Sequence, residues 1–128
     1  MQQDSSNDLL ENTQTLTEVN AKEFDAIFLI GGQGAMYTFK GNEDLEKIFV
    51  AFYEANKPSA AVSHAPVLLL EAKKSNGELL VTGKPWTGFA DGEEEFAANA
   101  VGMKIQPFRI EEQAKKIAGT TFKVAAPF

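Results

Sequence analysis

Ser63 and His64 are adjacent in the segment AVSHAP, which follows a short apolar run and precedes a leucine-rich segment. A hydroxyl beside an imidazole suits nucleophilic catalysis, because the imidazole can accept the proton of the attacking oxygen. Ala61 and Ala65 are small enough for a nucleophile elbow, the sharp strand-to-helix turn that holds its central residue at positive φ. The spacing therefore predicts that the Ser63 side chain points into a ligand crevice.

Backbone amides near this turn could stabilise a negatively charged oxygen during the reaction. The N–H of His64 would lie at the start of the following helix, and Gly32 in the loop GGQG could supply a second N–H from a neighbouring strand end. We expect the wall of the substrate pocket to include Gly31, Gln33, Gly34 and Pro66.

Two classes of protein that use similar motifs are disfavoured. An α/β-hydrolase places its catalytic histidine far downstream of the elbow, whereas His64 is the only histidine in the chain. The GGQG loop lacks the lysine of a phosphate-binding loop and the GxGxxG spacing of a dinucleotide site. The remaining arrangement has the histidine on the elbow itself, with an acid supplied by another loop.

Composition narrows the possible ligands further. With 12 basic and 18 acidic residues, the net charge is −6, which disfavours binding to nucleic acid or to an anionic membrane surface. The absence of cysteine excludes disulfides, thiolate zinc sites and a thiol nucleophile. We therefore expect neither a cofactor nor a metal, although carboxylate-only magnesium or calcium sites stay open. No secretion signal is evident, so the cytoplasm is the expected location.

Several elements can be predicted from hydrophobic patterning. The run FDAIFLI (residues 24–30) is typical of a strand buried on both faces. The segment NEDLEKIFVAFYEANK shows helical spacing of its apolar residues from Leu45 to Tyr53, and acidic residues at its start favour a helix there. SAAV (residues 59–62) predicts a second buried strand, and Pro66 would lie in the first turn of the next helix.

The second half of the chain is predicted to alternate in the same way. ELLV and PWTGF predict short strands, DGEEEFAANA and IEEQAKKIAG predict helices, the latter ending at Gly119, and FKVAAPF predicts a last strand. This order indicates a three-layer α/β architecture with a mostly parallel sheet. We expect residues 1–20 to form a polar arm and residues 21–128 a single domain.

Four motifs together resemble a known family. The runs EFDAIFLIGGQGAMY, KPSAAVSHAPVLLL, VTGKPWTGFADGEEE and EEQAKKIAG are similar, in order and spacing, to the ThiJ/PfpI superfamily of class I glutamine-amidotransferase-like proteins. The similarity is greatest to its glyoxalase III and chaperone branch, whose members typically read PGGHG, AAVCHGP and TGF(T/S)N-x-EEE. It extends from about Asn12 to Phe128 and implies a flavodoxin-like sandwich.

The resemblance also implies a set of site residues and a reaction. The nucleophilic cysteine of the family corresponds to Ser63, its neighbouring histidine to His64 and its acidic third member to Glu94, while the N–H groups of Gly32 and His64 correspond to the oxyanion donors. In the glyoxalase branch, methylglyoxal becomes lactate without glutathione or metal, so a small carbonyl compound is the implied ligand. Deglycation, peptide hydrolysis and chaperone-like protein holding are related activities. An exposed acidic helix face is the alternative for Glu94, because Glu93 and Glu95 flank it.

The chain departs from the family pattern in ways that bear on activity. Ser63 replaces a cysteine, and a hydroxyl is a much weaker nucleophile than a thiol. Ala65 replaces a glycine, and Gln33 replaces a common histidine. The family domain extends beyond both ends of the present segment, so the resemblance implies an incomplete sandwich that lacks the upstream glutamate which serves as proton shuttle. Two hypotheses stay open: an impaired glyoxalase III-like enzyme or related hydrolase, and a non-catalytic relative that binds small molecules or assembles as a homodimer or with a complementing chain.

Overall fold

The computed structural model describes residues 11–125. Part of the predicted polar arm and the last three residues of the predicted final strand therefore lie outside the described residues. Within the arm, Leu16–Glu18 forms a short 3-10 helix in which the Glu18 carboxylate accepts the N–H of Thr15 at 3.0 Å. This helix packs against the helix Glu43–Glu54.

The structure is α/β, and all four of its described strands pair in parallel. Strand β1 (Ile27–Leu29) pairs with β2 (Ser59–Ala61), and β3 (Pro85–Trp86) pairs with β4 (Thr121–Phe122). The strands predicted at residues 24–30 and 59–62 are confirmed in position, but each is only three residues long. The second pair is shorter still, so the described part of the chain holds two small sheets.

Burial of β1 on both faces was predicted, and this prediction is wrong. Leu29 faces the core, whereas Phe28 is 59% exposed and Ile30 is 64% exposed. Successive side chains of a strand point to opposite faces, so one face of the sheet packs on α-helical residues and the other is open. Ala60 of β2 is exposed on that open side as well.

The helix predicted around residues 45–53 is confirmed. After a short helix α1 (Ala35–Thr38), helix α2 runs over Glu43–Glu54. Asn42 caps it, because its side-chain oxygen accepts the N–H of Leu45 at 3.1 Å. The buried residues of α2 lie on one face, which packs against the sheet: Leu45, Phe49, Val50 and Phe52.

The helix predicted at Pro66 is present as a 3-10 helix, Ala65–Leu70, with the proline in its first turn. It supplies residues to both hydrophobic clusters of the structure. Ala65 and Leu68 belong to the cluster formed with α2, while Val67 and Leu70 belong to a second cluster around Ile110. The turn that precedes this helix is therefore anchored from two sides.

The strand predicted for ELLV is not formed. Leu80 and Val81 are buried, but they lie in turns, and only an isolated antiparallel bridge joins Lys73 to Leu79. The N–H of Thr82 bonds to the carbonyl of Leu79, which bends the chain before a strand can extend. Apolar content at this segment reflects burial rather than an extended backbone.

Two helices complete the described fold. Helix α3 spans Asp91–Val101 and ends at Gly102, whose φ is 79°, so the predicted acidic helix is confirmed. Helix α4 spans Ile110–Ala114 and is shorter than predicted, since turns replace it before Gly119. Ile110 and Ala114 are buried as expected, and β4 begins one residue before the predicted last strand.

Candidate active site

The turn between β2 and the 3-10 helix, residues 62–65, is named the elbow here. Ser63 lies at its tip with φ of 59°, a left-handed conformation that is uncommon for a residue other than glycine. Two backbone bonds fix it: the N–H of Val62 donates to Leu29 at 3.1 Å, and the N–H of Ala65 donates to Val62 at 3.1 Å. The side chain of Ser63 is consequently exposed at the end of the strand.

The glycine loop packs directly under the elbow. A Cβ atom on Gly31 would lie 2.4 Å from the carbonyl oxygen of Val62 and 2.7 Å from the nitrogen of His64. Such distances are far below normal contact, so only glycine allows this approach. The two segments singled out by sequence are therefore in contact.

Three side chains form a chain of contacts that begins at the elbow. Ser63 Oγ lies 3.4 Å from His64 Nδ1, and His64 Nε2 lies 3.0 Å from Glu94 Oε1. His64 is 2% exposed and Glu94 is 1% exposed, so the alternative of a solvated acidic face does not apply to Glu94. The order of hydroxyl, imidazole and carboxylate is that of a catalytic triad.

Phe89 holds the imidazole from one side. Its ring stacks on that of His64 with centroids 4.1 Å apart and an angle of 27° between the planes. Such an offset stack restricts rotation of the imidazole. The orientation of His64 is thus fixed by Phe89 as well as by Glu94.

Burial dominates the electrostatics of Glu94. Removal of the carboxyl from water raises its pKa above the usual value, although the charge and hydrogen bond of His64 act in the opposite direction. The second oxygen, Oε2, is buried and has no hydrogen-bond partner among the described residues. Oε1 of this carboxyl therefore contacts His64, whereas Oε2 is left as a buried acceptor.

A cleft of about 420 Å³ opens in front of the elbow. Its walls come from β2, the elbow, the segment after β3 and the start of α3: Ala61, Val62, Ser63, Pro66, Thr87, Gly88, Phe89, Ala90, Glu93 and Ala125. Among these described residues, Glu93 is the one ionisable side chain. Most of the remaining lining is apolar, which fits a small, weakly polar ligand.

The predicted pocket residues divide into two groups. Pro66 lines the cleft, whereas Gly31, Gln33 and Gly34 do not. Gln33 instead has a buried side-chain oxygen that finds no partner in the described part of the chain, and Gly34 begins α1. The glycine loop supports the elbow from behind more than it forms the cleft wall.

The predicted oxyanion donors are both available. Within residues 11–125, neither the N–H of Gly32 nor that of His64 donates to a protein acceptor. Gly32 has φ of 99°, which a side chain would disfavour. The His64 amide directly follows Ser63, and a side chain at Gly31 would lie only 2.7 Å from its nitrogen.

Other kinds of site were also sought in residues 11–125. No cluster of three or more histidine, aspartate or glutamate side chains there is arranged to hold a metal ion. No helix in the same range has the length and apolar character needed to cross a lipid bilayer.

A match to the DJ-1/PfpI family covers residues 2–104 of the chain. The chain belongs to the DJ-1/PfpI family. A probable glutathione-independent glyoxalase of Schizosaccharomyces pombe is 29% identical over 94% of this chain and 48% of its own length. A glutathione-independent glyoxalase of Saccharomyces cerevisiae is 30% identical over 95% of this chain and 52% of its own length.

Solved structures show the same relationship. The 24 kDa Rapid Encystment Protein of Francisella tularensis superposes with a TM-score of 0.82 at 29% identity, over 96% of this chain and 53% of that one. This likeness assigns the flavodoxin-like fold of the DJ-1/PfpI family, as the resemblance implied. The chain spans about half the length of the curated relatives it matches.

Sequence reasoning missed four residues at this site. Phe89 and Thr87 were assigned to a strand, although the TGF motif that contains them marks the segment. Glu93 was treated only as a neighbour of Glu94. Gln106, which approaches Glu94 from the segment before α4, carries no sequence signal, because a single glutamine in a loop has no pattern.

Proposed function

We propose that this chain carries a glyoxalase III-type site that acts on a small dicarbonyl compound such as methylglyoxal. The observation that carries the proposal is the contact sequence from Ser63 through His64 to Glu94, which starts at a positive-φ elbow facing a cleft. Relatives named as glutathione-independent glyoxalases support the substrate class.

The geometry suggests how the reaction would begin. Ser63 Oγ adds to the aldehyde carbon, its proton passes to His64 Nδ1, and the new oxyanion lies near the N–H of His64. Glu94 accepts a hydrogen bond from Nε2 and stabilises the imidazolium that forms. The contacts that support proton transfer to His64 and the hydrogen bond to Glu94 are already in place before substrate binds.

A proton must then move from the aldehyde carbon to the neighbouring carbon, which converts the adduct into an ester of Ser63. Glu93 is the ionisable side chain on the cleft wall, and one of its oxygens is anchored by the N–H of Ala90 at 2.8 Å. We assign this transfer to Glu93. Water then hydrolyses the ester, so that methylglyoxal and water give lactate, and Ser63 regains its proton from His64.

Serine limits the rate of this scheme. A cysteine is already a few per cent ionised at neutral pH, whereas a serine hydroxyl depends wholly on its base. The distance of 3.4 Å from Ser63 Oγ to His64 Nδ1 is also long for proton transfer. We therefore expect slow turnover from the unaltered chain and faster turnover from Ser63→Cys.

The decisive experiment measures lactate formed from methylglyoxal by the unaltered chain, Ser63→Cys and Ser63→Ala. We expect Ser63→Cys to exceed the unaltered chain by on the order of 100-fold and Ser63→Ala to give none, as loss of a nucleophile demands. Absence of lactate from both the unaltered chain and folded Ser63→Cys would overturn the proposal.

A second candidate function is a non-catalytic relative that assembles with a further polypeptide, either a second copy or a complementing chain. It is favoured by the open side of the first sheet, where Phe28, Ile30 and Val62 are 45–64% exposed. Exposed contiguous apolar surface is typical of an interaction site. Hydrodynamic mass separates the candidates, because a well-folded monomer without affinity for itself or for the complementing half counts against this second function.

A further inference from the structure

Gln106 is a buried polar residue whose role the proposed reaction does not use. It lies in the segment between α3 and α4, is 5% exposed, and its Nε2 atom has no hydrogen-bond partner among the described residues. Glu94 Oε2 is likewise buried without a hydrogen-bond partner among the described residues. A buried donor and a buried acceptor that both lack partners each carry a cost that one hydrogen bond between them would remove.

The two groups are near one another. The Gln106 amide approaches the Glu94 carboxyl closely enough to lower its pKa, in opposition to the larger effect of burial. The titratable groups that face Glu94 within the described residues are His64 on the elbow and Arg109 at the start of α4, and both lower the pKa of Glu94, as Gln106 does. Gln106 is the one group of this set that does not ionise.

The proton state of Glu94 decides which nitrogen of His64 can act as a base. A charged carboxylate accepts a hydrogen bond from Nε2–H, so the proton lies on Nε2 and Nδ1 offers its lone pair to Ser63. A protonated carboxyl can instead donate to Nε2, which moves the ring proton to Nδ1. In that second tautomer, the nitrogen beside Ser63 has no lone pair to accept its proton.

We propose that Gln106 is a positioning residue that donates to Glu94 Oε2 and holds this carboxylate charged, so that His64 keeps its proton on Nε2 and presents Nδ1 to Ser63. The role rests on the proposed function in one respect, since a base at Nδ1 matters only if Ser63 reacts. The arrangement itself exists without substrate. Gln106 thus acts on the reaction through two other residues and touches none of the reacting atoms.

The single histidine makes the test direct. Long-range nitrogen–proton NMR of the full chain reports which ring nitrogen of His64 bears the proton, with no signal from any other histidine. We compare the unaltered chain with Gln106→Leu at neutral pH. The expected result is a shift of about tenfold in the tautomer ratio towards Nδ1–H, the change produced by loss of one hydrogen bond to a charged group.

Two further variants sharpen the result. Gln113→Leu makes the same substitution in α4, where the glutamine bonds to Lys116, and should leave the tautomer ratio unchanged. Gln106→Glu retains the size and polarity of the side chain but places two carboxyls together, so that they share a proton. Gln106→Glu should shift the tautomer ratio in the same direction as Gln106→Leu. If Gln106→Leu does not fold, the tautomer ratio of Gln106→Glu tests the proposal instead.

An unchanged tautomer ratio in folded Gln106→Leu or Gln106→Glu, with only a lower melting temperature, would overturn the inference and leave Gln106 a structural residue. The outcome is independent of the lactate assay. A shift in the ratio without lactate from Ser63→Cys supports the role of Gln106 and rejects the proposed function. Lactate formation by Ser63→Cys without a shift in the tautomer ratio supports the proposed function and rejects the role of Gln106.

Discussion

Glu94 reaches His64 from 30 residues further along the chain, and their Oε1 and Nε2 atoms lie 3.0 Å apart with both side chains buried. The contact joins α3 to the elbow and places a carboxylate behind the imidazole that contacts Ser63. A buried charge without such a partner would be costly. The pairing therefore links the stability of this region to the proton state of the site.

The glycine loop gives a first prediction. Gly31→Ala should destabilise the fold by about 1–3 kcal/mol, because the added methyl group would overlap the backbone of Val62 and His64. Gly34→Ala is the matched control, since Gly34 has a helical φ of −58° and open space around it. There the change should be neutral or should stabilise by about 0.4–1 kcal/mol. Urea unfolding compares the two, and equal effects would contradict the close packing at Gly31.

The raised pKa of Glu94 gives a second prediction. Burial makes the folded protein hold this proton to a higher pH than the unfolded chain, whose carboxyl titrates near 4.5. The stronger proton binding of the folded chain therefore contributes stability that is fully present below about pH 4.5 and is lost as pH rises through the folded-state pKa. Relative to Glu94→Gln, the unaltered chain should become less stable as pH rises through this window. Unfolding free energies of both proteins across a pH series measure the difference, and a constant difference would refute the shift.

The stacked ring of Phe89 gives a third prediction. Phe89→Leu should lower the free energy of unfolding by about 1–2 kcal/mol, since both apolar area and the ring contact with His64 are lost. It should also reduce lactate formation in the Ser63→Cys background by releasing the imidazole. Phe28→Leu is the control, because Phe28 is 59% exposed. Similar losses in both variants would argue against a role for the stack.

The open face of the first sheet gives a fourth prediction. A dye that fluoresces on apolar surfaces should bind the unaltered chain, because Phe28, Ile30 and Val62 share one exposed side. Replacing Phe28 and Ile30 together with lysine should remove most of this signal. Val101→Lys, an exposed position on α3, should not. A chain that never binds the dye, or a signal unchanged by the double substitution, would show that this face is covered.

Sequence predicted the site better than it predicted the sheet, for physical reasons. Helical periodicity identified α2, and small residues around Ser63 identified the elbow, because both are local constraints. The contact between Glu94 and His64 depends on how α3 packs, which only the family resemblance could suggest. Apolar content placed β1 correctly, but exposure of Phe28 depends on what covers the sheet. ELLV is buried without being extended, and a pattern of apolar residues does not distinguish these cases.

The central claim is that the elbow residue, His64 and Glu94 act as one unit. The most direct test is the pH dependence of iodoacetamide alkylation in Ser63→Cys, where the introduced thiol is the only one in the chain. We predict half-maximal reactivity well below the ordinary thiol pKa of about 8.5, because a neighbouring imidazolium stabilises the thiolate. Adding Glu94→Gln should move it back upward. Reactivity that titrates at about 8.5 or above and does not respond to Glu94→Gln would contradict the claim.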